Sequence, residues 1–289
     1  MGTRPLRQHY DEVDRYVVDD AVGSIIEPWH RHRTRLLATL RTFDEEQWHA
    51  PTHCTDWNAR DVVSHLITVD GFWVASLVGA RSGTPTKMLP GFDPKSIPEL
   101  LVVPLRELPS AELLDQFTAG QDAFGDMIDA FEPEDWGRVA ESPFGHLPAR
   151  LALAHAFWDS WVHERDILEP AGRSPAVDGD EAYTAAWFAL FFGCAQGGVP
   201  GAPGALVPGP DAPIDATLVF AEQPDRPVRA QVGDQVHLSR GSAAAEGGHV
   251  VSAVAFVDGF AQRGGASLDA LETLPDDLRA QLERGQQTF

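Results

Sequence analysis

Positive charge is scarce in this chain. Of its 289 residues, 22 are Lys or Arg and 43 are Asp or Glu, a formal net charge of −21. A surface of that sign repels phosphate backbones, so nucleic acid is not an expected partner. Lysine is nearly missing, with only Lys87 and Lys95. Long apolar runs are missing too: no stretch approaches the roughly 18 unbroken apolar residues of a membrane helix, and no membrane partner is expected. The segment Met1 to Asp20 is polar and lacks the apolar stretch of a secretion signal, which makes the cytoplasm the default expectation. Cysteine is limited to Cys54 and Cys194, with no C-x-x-C spacing. That argues against a disulfide scaffold or a thiolate zinc knuckle, and the plain reading of both is a buried, inert thiol.

What is there is enough apolar material, 43% of residues, for a sizeable core, and a length that predicts two domains at ~100–200 residues each. Apolar residues at helical spacing predict a helix from about Val22 to Thr42, through Ile25, Trp29, Leu36, Leu37 and Leu40. Phe43 to Thr55 reads as a loop. Asn58 caps a second helix, with Asp61 favouring its positive end, that should stop near Gly79–Gly83. Residues 82–109 carry Pro85, Pro90, Pro94, Pro98, Pro104 and Pro109 and read as a long crossover or lid without regular structure. Ser110 caps a third helix that Pro133 stops; a fourth runs from about Pro148 to Leu168, and a fifth from about Asp178 to Cys194. Gly197 to Pro213 is a break rich in Gly and Pro. Beyond it, 216–220, 228–232 and 235–238 read as short strands, and 250–262 and 275–284 as helices. The expected fold class is therefore α+β: a helical bundle over residues 1–196 and a small α+β domain over 197–289.

The chemistry concentrates on the fourth helix. His155, Asp159 and His163 are spaced by four, and each step of four advances ~400°, so all three share one stripe. An i, i+4 pair of ligating side chains can grip one metal ion. Here that pair is Asp159 with His163 or His155 with Asp159, and spacing does not choose between them. Phe157, Trp158, Trp161 and Val162 surround the stripe, and ionisable groups on a partly buried face need a counter-charge that a cation supplies. The competing reading is a solvated or salt-bridged row with Arg150 or Arg165. His65, in the helix run Val62-Val63-Ser64-His65-Leu66-Ile67, would by itself be an ordinary core histidine. Bundle metal sites, however, combine single ligands and paired ligands from facing helices. Three nitrogen and oxygen donors leave a fourth position open, the pattern of a catalytic rather than a structural zinc site.

Two runs resemble a known family. The first is Trp48, then Pro51-Thr52-His53-Cys54-Thr55-Asp56-Trp57, then Arg60-Asp61-Val62-Val63-Ser64-His65-Leu66. It resembles the N-terminal signature of the mycothiol-dependent maleylpyruvate isomerase family, in the DinB-like superfamily of four-helix metalloproteins. The second, Asp159 to His163 followed by Asp166-Ile167, resembles the family's carboxylate-x-x-x-His segment. The resemblance implies an N-terminal DinB-like four-helix bundle whose metal ligands are His65, Asp159 and His163, and it moves His155 one turn away as a pocket residue. The family often has Glu where this chain has Asp159, which is one methylene shorter and requires a closer approach. Val251 to Ala255 and Gln262-Arg263 loosely resemble the family's C-terminal α+β domain, and Arg263, like Arg229 and Arg240, is of a type that suits an anionic cofactor or substrate.

The resemblance also implies a function. The cofactor is a divalent metal, zinc in particular, and mycothiol is a cosubstrate whose thiolate is transferred to, or isomerises, a small electrophile. A DinB-fold metalloenzyme that works without a thiol, through metal-bound water or carbonyl polarisation, is the alternative. A protein that only binds metal or ligand is a further one. Trp29, Trp73, Trp158, Trp161 and Trp187 read as core, and His30, His32, His49 and His53 as surface or loop histidines.

Overall fold

The computed structural model describes residues 6–10, 13–19, 24–198, 212–242 and 248–287. In chain order its elements are β1 (Tyr16–Val18), α1 (Ile26–Leu40), α2 (Glu45–Trp48), α3 (Ala59–Ser82), α4 (Ser96–Val102), α5 (Ser110–Asp129), β2 (Val139–Ser142), β3 (Gly145–Pro148), α6 (Ala149–Leu168), α7 (Gly179–Gly197), β4 (Ile214–Phe220), β5 (Val228–Val232), β6 (Val236–Arg240), β7 (His249–Val251), α8 (Ala253–Ala261) and α9 (Asp276–Gln286). The mixed helix and sheet content agrees with the expected α+β class. The chain forms two compact units, Ile25–Ala176 and the described parts of Met1–Ser24 with Val177–Phe289.

In the first unit α3 packs against α5 and α6, and α1 packs against the same two. Local sequence explains the boundaries. Asn58 accepts from the Asp61 N–H while Asp61 accepts from the Asn58 N–H, a reciprocal cap that satisfies two orphan donors at the start of α3. Gly83, at φ +73°, ends the same helix in the left-handed conformation that glycine adopts without strain. The helix is apolar and long enough to cross a membrane by composition. Here one face of it packs into the first unit, and it buries Arg60, Asp61, His65 and Asp70, groups that a lipid core disfavours. Pro148 precedes α6, whose residues are buried on every side except at Arg150 and Asp159.

Several expectations need correction. The stretch 82–109 is not without regular structure, because α4 and a 3-10 turn at Val103–Leu105 lie inside it. The 43–55 loop contains α2, capped by Asp44 and Gln47. Ser110 is the first residue of α5 rather than its cap; Pro109 occupies that position, and the Ser110 hydroxyl is engaged by Arg60 and Glu45. The hairpin of β2 and β3, with Ser142 opposite Gly145, was not foreseen. It anchors the proline-rich segment. The buried Glu141 carboxylate accepts the N–H groups of Met88 at 2.7 Å and Leu89 at 2.8 Å, and His146 meets the Thr86 carbonyl at 2.8 Å.

The described residues of the second unit form a five-stranded sheet of order β1-β6-β5-β4-β7, accompanied by α7, α8 and α9. Strands β4, β5 and β6 form an antiparallel meander, with β1 and β7 added parallel at its edges. On β4 the alternate residues Ile214, Ala216, Leu218 and Phe220 are buried, the period-two signature of a half-covered strand. The expected boundary at 196/197 does not match this packing. Helix α7 packs against α8, α9, β5 and β6, so it belongs with the C-terminal elements, as does the early strand β1. The expected 250–262 helix begins only at Ala253, after β7 has paired with β4. The start of the first expected helix, at Val22, lies outside the described residues.

Candidate metal centre

His65 from α3 and Asp159 and His163 from α6 converge. Nε2 of His65 lies 3.4 Å from Oδ2 of Asp159, and Nε2 of His163 lies 3.6 Å from its Oδ1. One donor atom from each of the three lies within 4.8 Å of the other two. Two donors on one tetrahedral zinc, each about 2.0–2.1 Å from it, stand about 3.3 Å apart, so these separations suit a shared cation. The extra methylene of a glutamate is not needed here, since Asp159 already reaches both rings.

Burial and charge point the same way. The two histidine side chains are each 9% exposed and Asp159 is 21% exposed, so the group is sheltered but reachable at its carboxylate edge. Oδ2 of Asp159 is buried and accepts no hydrogen bond, an arrangement that is costly unless a cation satisfies it. Burial pushes the Asp159 carboxyl up, but the charges of His65 and His163 outweigh that and hold it well below the usual carboxylate range. Burial pulls the His163 imidazole down, but Asp159 and the Asp166 hydrogen bond outweigh it and hold the ring well above the usual histidine value. The three side chains therefore favour positive charge at their centre, and the donor set fits a divalent metal.

The other face of His163 is fixed. Its Nδ1 lies 2.8 Å from Oδ2 of the fully buried Asp166, which turns Nε2 toward Asp159. A carboxylate behind a ligating histidine sets the tautomer and raises its basicity. Cys54, His163 and Asp166 form a second group of donor atoms close enough to share an ion. Its 2.8 Å His163–Asp166 contact is a hydrogen-bond length and shorter than the separation of two zinc ligands. His65 is backed by Trp57, whose ring centre lies 5.3 Å from the imidazole.

The helical unit that builds this centre matches a family model, the mycothiol maleylpyruvate isomerase N-terminal domain, over residues 29–168. Two solved structures share the fold: the crystal structure of the mycothiol-dependent maleylpyruvate isomerase and that of a histidine-to-alanine mutant of it. Each matches with a TM-score of 0.55 at 13% identity, over 84% of this chain and 89% of the other. No curated protein sequence matches the chain.

Within the matched segment, His65, Asp159 and His163 come together and His155 does not. His155 stands apart from the donor set. Its ring stacks on Phe144 at 5.0 Å and lies 5.1 Å from Trp73, and burial pushes its pKa down to about 4, so it is a neutral member of an aromatic cluster. Arg263 belongs to the other unit and donates to the Ala261 carbonyl at 3.2 Å. Arg229 pairs with Asp215, and Arg240 donates to the Asp225 carbonyl at 2.6 Å. Arg165 pairs with Glu169, one turn along α6. All five tryptophans read as core are buried.

Two histidine and cysteine expectations need correction. His32 is fully buried and bonds Ser160 at 2.9 Å. His53 does lie in a loop, half-buried beside Asp166. Cys194 is a buried thiol that burial pushes up to about 12, but Cys54 is only half-buried and touches the site: its Sγ lies 3.3 Å from Oδ2 of Asp166. Asp166 and Trp57 stand in the runs that carry the family resemblance, and that position was the only signal for them in the sequence.

Proposed function

We propose that this chain is a metal-dependent enzyme, with zinc as its cofactor, that uses the thiolate of mycothiol to isomerise a small electrophile or to transfer the thiol to it. The supporting observation is the convergence of His65, Asp159 and His163 inside a segment that matches the mycothiol maleylpyruvate isomerase N-terminal domain. In this reading α1, α3, α5 and α6 are the four-helix bundle of the DinB-like superfamily, with the metal between α3 and α6. Zinc bound there would supply the positive charge that makes a thiol a thiolate at neutral pH.

The chain's own residues do the rest. Asp166 keeps a proton on Nδ1 of His163, so Nε2 offers its lone pair to the centre. Asp159 contributes the one negative charge of the donor set. Three protein donors leave a position for a thiol, and the partly exposed Asp159 edge is where mycothiol and its electrophile would enter. The candidate substrate class is a small conjugated acid such as maleylpyruvate.

A specific observation favours a second reading, a metalloenzyme of the same fold that works without a thiol. Segment 84–92 is tied down by Glu141 and His146 beside the hairpin that carries Phe144, which suits a walled pocket for a dedicated substrate. One set of measurements separates the readings. Metal content is determined for wild type and for His65→Ala, and loss of maleylpyruvate is followed with and without mycothiol. Stoichiometric zinc that His65→Ala lacks, with turnover only in the presence of mycothiol, is the expected result. Metal without any effect of the thiol on any electrophile would move the assignment to the second reading.

A further inference from the structure

We infer that Cys54 is a positioning residue for His163, and that the loop 51–58 clamps both histidine ligands at once. The inference rests on the metal reading above.

The loop is closed on itself. Pro51 bridges to Asn58, the Thr52 hydroxyl donates to the Trp57 carbonyl at 2.7 Å, and the Trp57 N–H donates to the Cys54 carbonyl at 2.8 Å. The distance between Cys54 and Trp57 is thereby set by local bonds. One end of the loop docks on the last turns of α6. The His53 N–H donates to the Asp166 carbonyl at 3.1 Å, and the Cys54 thiol donates to Oδ2 of Asp166 at 3.3 Å. That same oxygen holds Nδ1 of His163, and Sγ lies 3.8 Å from Nδ1 itself. A thiol is a weak donor, but a half-buried one also fills the space beside Oδ2 and keeps water from competing for it. The Asp166 carboxylate is thus held in the rotation that serves His163.

The other end of the loop holds the second ligand. Trp57 lies against His65 and is itself fixed by a 2.8 Å hydrogen bond from its Nε1 to Glu99. Glu99 is paired in turn with Arg106, which also binds Asp61 at 2.8 Å at the start of the helix that carries His65. The ring planes of His65 and His163 meet at 79° with centres 5.0 Å apart, and one rigid loop touches the support of each. Cys54 therefore acts through Asp166 on the orientation of a ligand.

The test compares wild type, Cys54→Ala, Cys54→Ser and His65→Ala. Each is titrated with Zn²⁺ against a chromophoric chelator, with far-UV circular dichroism as a control for folding. The Ala variant is expected to bind zinc roughly tenfold more weakly, and the Ser variant, which keeps a donor at that position, within about twofold of wild type. An Ala variant equal to wild type overturns the inference and leaves the metal centre standing, as does an equal loss in both Cys54 variants. Zinc that Cys54→Ala loses and His65→Ala keeps would make Cys54 a ligand itself, overturning the inference and the parent reading together. A wild type that takes up no zinc also ends both.

Discussion

The carboxylate of Asp166 stands behind His163, 2.8 Å from its Nδ1, one turn further along α6 and on the side away from Asp159. In the proposed metal centre that contact would hold His163 in one tautomer. Replacing Asp166 with Ala frees the ring and removes the charge behind it, and zinc affinity should fall by roughly 10–100-fold. Chelator competition on the purified variant measures this; an unchanged affinity would show that His163 is oriented by its packing alone.

Glu164 gives the fold an acid limit. It is buried where α6 meets α1, with His32 3.4 Å away and Arg35 2.8 Å away. Burial pushes its carboxyl up, but His32 and Arg35 outweigh that and bring it down to about 2, from an ordinary 4.5. The folded value lies below the unfolded one, so the stabilisation is present above pH 4.5 and is lost as pH falls toward 2. At 1.36 kcal/mol per unit it amounts to at most about 3 kcal/mol. Urea unfolding at pH 3 and pH 6 should show a smaller acid loss for Glu164→Gln than for wild type.

Arg33 and Asp70 form an ion pair inside the first unit, 1% and 4% exposed, with Arg33 also donating to Ser160 at 3.0 Å. Burial pushes the Asp70 carboxyl up to about 6 despite Arg33. Because its folded value exceeds that of a free aspartate, this group favours folding at low pH and loses that contribution as pH rises through about 6. Removing one partner strands the other charge. Asp70→Leu should cost about 3–5 kcal/mol at pH 7, and adding Arg33→Met should restore most of it. Denaturant midpoints of the single and double variants decide this, and a double variant no better than the single would refute the stranded-charge explanation.

In the second unit α7 and α9 meet through glycines. A Cβ on Gly285 would stand 2.7 Å from the backbone of Gly193, which a side-chain rotation cannot relieve. Gly285→Ala should lower stability by about 1–3 kcal/mol. Gly71, on an open face of α3 with nothing within 4 Å of an added Cβ, is the control: the same change there should raise stability by up to about 1 kcal/mol. Thermal unfolding of both variants tests whether the glycine contact matters.

The sequence alone was enough for the long helices α1, α3, α5, α6 and α7, because their causes are local, but not for the short α2 and α4. Asn58 with Asp61, Pro148 and Asp178 mark starts, and apolar residues at helical spacing mark the bodies. It was also enough for the stripe His155, Asp159, His163, since a spacing of four puts those side chains on one face wherever the helix lies. Spacing could not choose between the two histidines, which are equally spaced from Asp159, and the family resemblance pointed to His163. The physical reason lies in what other elements bring to each end: Phe144 and Trp73 enclose His155, whereas His65 and Asp166 meet His163. The same limit hid Cys54, whose contact with Asp166 spans 112 positions of chain, and the place of α7. That helix is buried along nearly its whole length, so its pattern shows no single apolar face that would point to a partner. Local bonds are set by neighbours in sequence, but packing and ligand convergence depend on which surfaces meet after the chain has closed, and only the tertiary structure decided that.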